Sequence, residues 1–396
     1  MSLNQTPSSE RIHIGIFGKR NAGKSSIMNA ITDQEASLVS DVKGTTTDPV
    51  YKAMELLPLG PVVFIDTPGL DDEGCLGELR VKKSREALGR ADLAILVVDG
   101  LLGISGEDLK LIKELKEQGT PALIVYNKCD LGVTVSEPVI EELPVLFVSA
   151  YTGQGIRMLK ERLAELLPQK GREKRLVGDL LKPLDFVILV VPIDKSAPKG
   201  RLILPQQQAI RDILESGAVS IAVRDTELKE TLDRLEQKPK LVITDSQVFD
   251  KVNALVPKGV WLTSFSVLFA RYKGSLEQAA AGVRALEQLQ DKDKVLICEG
   301  CTHHRQCEDI GTVKLPRWIR EHTGKQPEFV FSSGGDFPED LKEYRLIIHC
   351  GGCMLQEREM KNRLSRAVKA GVPMTNYGIL IAYIKGILER SLEPFL

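Results

Sequence analysis

Short apolar runs of strand length alternate with amphipathic helical stretches along most of the chain. After a polar N-terminal tail, Ile12–Phe17 reads as a buried strand that runs into GKRNAGKSS and then a helix through Ile31. Further strand-like runs lie at 62–65, 94–98, 122–126 and 145–148, with helical stretches at 78–88 and 108–118 between them. An amphipathic helix over 156–167 closes this first unit. Strand–helix alternation of this kind predicts a mostly parallel sheet with helices on both faces. The charged stretch PQKGREKR from Pro168 has no apolar periodicity and reads as a linker.

A second unit has strand candidates at 186–191, 220–223, 240–244 and 260–264, with helices at 207–214, 227–235 and 246–255. A third begins with a helical run over 276–289. Its strands are expected at 294–297, 328–331, 345–349 and 373–376, and its helices at Glu357–Ala370 and 379–388. The chain is therefore read as α/β throughout, divided into domains at 1–170, 178–268 and 270–396.

Composition narrows the class. Of the 396 residues, 43% are hydrophobic and 27% charged, which suits a folded soluble chain and excludes a disordered or collagenous one. Lys and Arg number 53 and Asp and Glu 54, so no whole-chain field attracts polyanions. Neither membrane nor nucleic acid is expected as a partner. No apolar run nears the roughly 20 residues of a membrane span, and MSLNQTPSSER lacks a signal-peptide core. A cytoplasmic location is expected, where seven cysteines need an explanation other than disulfides.

Gly18–Ser25 reads GKRNAGKS, a full phosphate-binding loop between a strand and a helix. Gly18 and Gly23 let the backbone N–H groups of the loop, which includes Asn21 and Ala22, curl around a phosphate, Lys24 adds a cation, and the Ser25 hydroxyl ligates Mg²⁺, with Ser26 next in the helix. DTPG follows at Asp66–Gly69, where Asp66 would reach Mg²⁺ through water and the Gly69 N–H would sense the γ-phosphate. NKCD spans Asn127, Lys128, Cys129 and Asp130, and the Asp130 carboxylate can accept two hydrogen bonds from guanine but not from adenine. Ser149-Ala150 would bring a backbone N–H near guanine O6. Four ordered motifs specify GTP.

These residues resemble the translation-factor-related GTPases, and within them the group that contains Era and the tRNA-modification GTPase, over roughly the first 165 residues. The resemblance implies a P-loop GTPase domain over that stretch, and the strand–helix pattern adds two smaller α/β domains after it. GTTTD at Gly44–Asp48 departs from that group's GTTRD at Thr47, and alignment makes Thr46 the second Mg²⁺ ligand. Asn21 matches the asparagine that helps hold K⁺ in potassium-activated members. Leu70 stands where a water-positioning glutamine is found in Ras-like proteins, so hydrolysis should be slow unless another group acts. Glu78 lies where the tRNA-modification GTPase has a catalytic glutamate; a solvated helix carboxylate is the competing reading.

Five cysteines fall in two tight groups, CEGCTHHRQC from Cys298 to Cys307 and HCGGC from His349 to Cys353. Such clustering at strand ends points to a metal centre. Cys301 and Cys350 are separated by 48 residues, too long for a zinc ribbon with its roughly 15–20, though zinc in a larger domain stays open. Thiolate-rich ligation and the paired glycines of HCGGC favour an iron–sulfur cluster. Cys129 and Cys75 are assigned to neither group.

A GTPase joined to Cys301-Thr302-His303 and to His349-Cys350-Gly351-Gly352-Cys353, with DIGTVKLPRW from Asp309, resembles the HydF family, the FeFe-hydrogenase maturation GTPases. The resemblance covers the whole chain. It implies a 4Fe–4S cluster on Cys301, Cys350 and Cys353 and a central dimerisation domain that makes the chain a dimer or higher oligomer. It also implies a scaffold that receives a transient diiron precursor carrying CO, cyanide and a dithiolate, made with the radical-SAM maturases HydE and HydG. The scaffold delivers that precursor to apo-hydrogenase. His303, His349, Glu299 and Glu308 are candidate fourth ligands or neighbours, and Cys298 and Cys307 are extra thiols. The contrasting reading is an RNA- or ribosome-associated GTPase with a structural zinc site. It lacks a KH-like loop flanked by basic residues, and only 5% of the chain is aromatic.

Overall fold

The computed structural model describes residues 6–32, 49–57, 59–68, 75–132, 139–167, 174–193, 202–300 and 309–396, the side chains of 75–82 and 139 excepted. The chain forms two compact units, Met1–Arg172 and Glu173–Leu396. Among the described residues no helix is long and apolar enough to cross a membrane.

The first unit runs β1 (Ile12–Phe17), α1 (Lys24–Thr32), β2 (Val50–Leu56), β3 (Gly60–Asp66), α2 (Cys75–Arg90), β4 (Leu93–Asp99), α3 (Gly106–Glu117), β5 (Ala122–Asn127), β6 (Val139–Ile140), β7 (Leu143–Phe147) and α4 (Ile156–Leu166). Its sheet has the order β2-β3-β1-β4-β5-β7-β6. β3, β1, β4, β5 and β7 are parallel, while β2 and β6 join antiparallel at the edges. The near-continuous apolar run of β4, LAILVVD, is what a central strand covered on both faces requires. The pleat sends Ile95 and Val97 into a core with Ile27 and Leu159, and Leu96 and Val98 into a core with Leu88 and Leu111. β1 lies between β3 and β4, so the strand order reverses beside it, and the C-terminal strand ends at such a point are where open α/β sheets bind ligands.

The second unit holds two four-stranded parallel sheets. The first comprises β8 (Phe186–Val190), α5 (Leu204–Glu215), β9 (Val219–Val223), α6 (Leu228–Arg234), β10 (Leu241–Thr244), α7 (Phe249–Leu255) and β11 (Trp261–Ser264), in strand order β11-β10-β8-β9. Two helices follow directly, α8 (Phe265–Lys273) and α9 (Leu276–Gly282). The second sheet comprises β12 (Lys294–Glu299), α10 (Leu315–Thr323), β13 (Glu328–Ser333), β14 (Tyr344–His349), α11 (Glu357–Ala370) and β15 (Met374–Asn376), in order β13-β12-β14-β15. The chain ends with α12 (Tyr377–Ile384) and α13 (Leu388–Leu392).

Helix α8, FSVLFARYK, serves both sheets. Phe265, Leu268 and Phe269 pack with Val187, Leu189 and Leu241, while Val267 and Ala270 pack with Ile297 and Ile348. Its aromatic and β-branched residues are modest helix formers, by up to about 0.7 kcal/mol each. Burial of each large apolar side chain contributes about 1.5–3 kcal/mol, so packing decides the conformation. The Ser264 hydroxyl caps the helix by accepting the Val267 N–H at 3.3 Å.

Candidate functional site

The strand ends of the first unit gather the guanine-nucleotide motifs. Gly18 follows β1 with φ +137°, and a Cβ there would lie 2.2 Å from the Val97 carbonyl oxygen, so only glycine fits. The buried Lys24 ammonium donates to the Gly18 and Lys19 carbonyls at 2.9 and 2.7 Å, which holds the cation across the loop. Asn21 takes a left-handed φ of +61° that asparagine tolerates.

The Ser25 hydroxyl donates to Asp66 Oδ2 at 2.7 Å. Asp66 Oδ1 is buried and has no hydrogen-bond partner among the described residues. Burial raises the Asp66 carboxyl above its usual range, and the Ser25 hydrogen bond opposes this. A hydroxyl beside an orphaned carboxylate oxygen is a hard-oxygen donor set, which suits Mg²⁺ and its bound water. Asn127 ties the site together: its Nδ2 donates to the Ala22 carbonyl and its Oδ1 accepts the Ala150 N–H, both at 3.0 Å.

Lys128 pairs with Asp99 at the end of β4, Nζ to Oδ2 2.6 Å, a partner the motif reading did not name. Asp130 is exposed at the head of the turn after β5. Ser149 is fully buried and its hydroxyl accepts the Thr152 N–H, so this side chain holds a turn. The Ser149 N–H donates to the Gln154 carbonyl. The Ala150 N–H could therefore reach a base oxygen only when shared with, or released by, Asn127. Ser26 is exposed on the first turn of α1. Thr46 and Gly69 lie outside the described residues, as does the side chain of Glu78.

The thiol site forms at the C-terminal ends of β12 and β14, between which the strand order of the second sheet of the second unit reverses. Cys350 follows β14, and its N–H donates to the Cys298 carbonyl at 2.8 Å. Its Sγ accepts two backbone N–H groups, from Gly300 at 3.0 Å and Gly352 at 3.4 Å. Burial pushes the Cys350 thiol up to about 11, and those two donors pull against the rise. Gly352 has φ +66°, and a Cβ there would meet Met360 Sδ at 2.7 Å. Lys273, the last residue of α8, is 2% exposed. Its Nζ donates to the carbonyls of Gly352, Cys353 and Leu355 at 3.4, 2.8 and 2.6 Å, fixing the turn. Burial also raises the Cys353 thiol, and the Lys273 charge opposes it. Nothing in FSVLFARYKG announced this lysine, because its role depends on a turn some 80 residues away.

The pleat separates the other thiol. Cys298 is fully buried with Leu296 and Ile347, whereas Cys350 packs against the opposite core with Ile297 and Ile348. Burial pushes the Cys298 thiol up to about 12. His349 also has its ring committed. Nδ1–H donates to the Cys350 carbonyl at 2.9 Å and Nε2 accepts from Arg363 at 3.0 Å. Cys301, His303, Cys307 and Glu308 lie outside the described residues. Among the described residues no three metal-donating side chains come together. The donor chemistry present nonetheless suits a thiolate-bound group: soft sulfur, two N–H donors to it and a buried cation stabilise negative charge on Cys350 and Cys353.

Comparison with known proteins fits this division. Residues 13–128 match the family model described as 50S ribosome-binding GTPase. The tRNA modification GTPase MnmE of Heliobacterium modesticaldum is 35% identical over 158 residues, covering 38% of this chain and 33% of its own length. The GTPase Der of Kosmotoga olearia is 35% identical over 214 residues, covering 49% and 47%. The chain thus spans a third to about half the length of these curated relatives. The solved G domain of the T. maritima FeoB iron transporter is 25% identical, covers 40% of this chain and 100% of that one, and has a TM-score of 0.33. Residues 176–274 match the hydrogen maturase F dimerization domain, and 277–394 match the hydrogen maturase F tetramerization domain. The chain belongs to the hydrogen maturase F family, with a GTPase domain followed by that family's two oligomerisation domains.

Proposed function

We propose that the protein is a GTP-hydrolysing metallocluster scaffold. It would hold a 4Fe–4S cluster, receive a diiron precursor made with the radical-SAM maturases HydE and HydG, and pass that cargo to apo-FeFe-hydrogenase. The family and the turn at Cys350 support this reading together. Cys350, Cys353 and Cys301 would hold the cluster. When bound, it supplies an iron with one position left open by the protein thiolates, where a cyanide nitrogen of the cargo can attach. Cys298, on the other face of the sheet, is left out of the ligand set.

In the first unit Lys24 and the loop N–H groups would carry the phosphate charge, and Asp130 would read guanine. Ser25 and Asp66, with Thr46, would hold Mg²⁺, and Asn21 would help hold K⁺. Leu70 cannot orient water, so hydrolysis is slow, K⁺ supplies charge, and Glu78 is the candidate to position the nucleophile. Slow hydrolysis suits a switch that times the exchange of partners. The chain acts as a dimer or larger homo-oligomer through its two C-terminal domains.

The single observation that carries the reading is the Cys350 Sγ between the Gly300 and Gly352 N–H groups in a chain of this family. Anaerobic purification tests it. The protein should be brown, absorb broadly at about 400 nm and contain about four irons and four sulfides per chain. It should also activate apo-hydrogenase after incubation with HydE and HydG products. A colourless protein with stoichiometric zinc would reject the scaffold.

A further inference from the structure

Tyr377 is the first residue of α12, and Asn376 before it caps the helix, Oδ1 accepting the Ile379 N–H at 2.8 Å. The ring is packed in the core that holds Val295, Ile297 and Ile348, against which Cys350 also packs. The residue is 8% exposed, yet its hydroxyl has no hydrogen-bond partner among the described residues. A buried phenol normally finds a partner, and an unmet one is a cost the fold must offset.

The surroundings show where that hydroxyl is aimed. A Cβ on Gly311 would lie 2.5 Å from Tyr377 Oη and 2.5 Å from Glu299 Oε1, so the two oxygens flank this glycine. Any side chain at Gly311 would displace them. Gly311 belongs to a π-helical turn over Ile310–Lys314, a rare conformation that occurs often at functional sites. Glu299 ends β12, and the next residue, Gly300, donates its N–H to Cys350 Sγ. The unpartnered hydroxyl thus lies on the same face and at the same end of the sheet as the cysteine turn. Burial and the neighbouring charges of Cys350 and Glu299 hold the phenol well above its ordinary range, so it stays in the donating form.

We infer that the Tyr377 hydroxyl is a hydrogen-bond donor to the sulfur of the iron–sulfur group held at Cys350, with Gly311 keeping the space for that contact. The inference rests on the scaffold reading above. An O–H···S bond stabilises the more negative, reduced cluster and so raises its reduction potential. Tyr377 would then set the redox level of the group and, through its electron density, how firmly the open iron holds a ligand.

The test uses Tyr377→Phe in the full chain, which keeps the ring and removes only the oxygen. Wild-type iron and sulfide content is measured first; absence of a cluster there would overturn both readings. With wild type loaded, Tyr377→Phe should retain iron and sulfide. In an EPR-monitored redox titration its reduced-to-oxidised ratio at the wild-type midpoint should fall about fivefold, the size of one net hydrogen bond. Metal-free Tyr377→Phe should unfold at the same or higher denaturant concentration, since the oxygen has no partner there to lose. A variant that keeps this metal-free stability but loses iron would also support the contact. An unchanged midpoint at full iron content, or a destabilised metal-free variant, would overturn the inference.

Discussion

The guanidinium of Arg363 lies 3.0 Å from His349 Nε2, and both side chains are about 1% exposed. An arginine can only donate, so Nε2 is an acceptor and the proton sits on Nδ1, which donates to the Cys350 carbonyl. The same guanidinium donates to Glu359 Oε1 and to the Gly334 carbonyl, both at 2.8 Å. His349 therefore acts on the cysteine turn through its peptide oxygen, with neither ring nitrogen left for iron.

Arg363→Met should remove the hydrogen bonds to His349, Glu359 and the Gly334 carbonyl at once. A loss of about 3–5 kcal/mol is expected in denaturant unfolding of the metal-free protein, and Arg363→Lys should recover only part of it. The pH dependence has a definite sign. Burial, then the Arg363 charge, lowers His349 from 6.5 to about 3. The folded state binds fewer protons than the unfolded one between those values. The contribution of neutral His349 is thus complete above about pH 6.5 and is lost as pH falls toward 3. Without Arg363 the imidazole should titrate higher, and the acid-side slope of stability should flatten.

Asp130 is the proposed reader of the base. Asp130→Asn should weaken GTP binding at least tenfold, because a charged bidentate contact contributes about 1.5–3 kcal/mol. Asn127→Ala should also weaken binding, by a different route: it frees the Ala22 carbonyl and the Ala150 N–H that Asn127 holds together. The two variants separate in stability. Asn127→Ala should lower the unfolding midpoint of the nucleotide-free protein, and Asp130→Asn, an exposed change, should not. Equal GTP affinity in Asp130→Asn and wild type, by calorimetry, would remove Asp130 as the guanine reader.

Leu70 cannot position water, and Asn21 sits in the phosphate loop with a left-handed backbone and an exposed side chain. Hydrolysis should run several-fold faster in K⁺ than in Na⁺ at matched ionic strength, and Asn21→Ala should erase the difference. Substitution by Ala also strains the loop at φ +61°, so GTP affinity is measured alongside; a rate change with no change in affinity isolates the cation effect.

The nucleotide motifs were legible because each is a local string at a strand end, and a parallel sheet brings those ends together. Elements without a local signature were not. β2 is an edge strand whose residues are mostly exposed, so VYKAMEL shows no clean alternation. α8 follows β11 without a turn residue, and a continuous apolar run does not separate strand from buried helix. The stretch 276–289 reads as one helix, but the α-helix ends at Gly282 and a 3₁₀ segment, Val283–Gln288, follows. Gly282 packs so close to β15 that a Cβ would lie 2.3 Å from the Met374 carbonyl oxygen. Lys273, Arg363 and Tyr377 escaped notice for a related reason. Their partners come from other elements, and nothing in their own neighbourhoods marks them.

The cysteines give the sharpest division. Cys350 and Cys353 share one turn, and Lys273 fixes its carbonyls. Cys298 points into the opposite core, where its thiol is pushed up to about 12 by burial. Replacing Cys301, Cys350 or Cys353 by Ser or Ala should therefore abolish cluster content and hydrogenase activation, because an iron that loses one of three thiolates is left to solvent. GTP hydrolysis should persist in all three variants, since the phosphate loop belongs to the other compact unit. Cys298→Ala and Cys307→Ala should keep the cluster. Cys298→Ala should instead lower the unfolding free energy by about 1 kcal/mol, as expected for emptying a small, tightly packed buried site. Under the proposed three-thiolate ligation one iron position is exchangeable, so added imidazole or cyanide should change the EPR spectrum of wild type. Loss of the cluster in Cys298→Ala, together with a spectrum indifferent to added ligand, would mean four-cysteine ligation. The open iron on which delivery of the diiron cargo depends would then not exist.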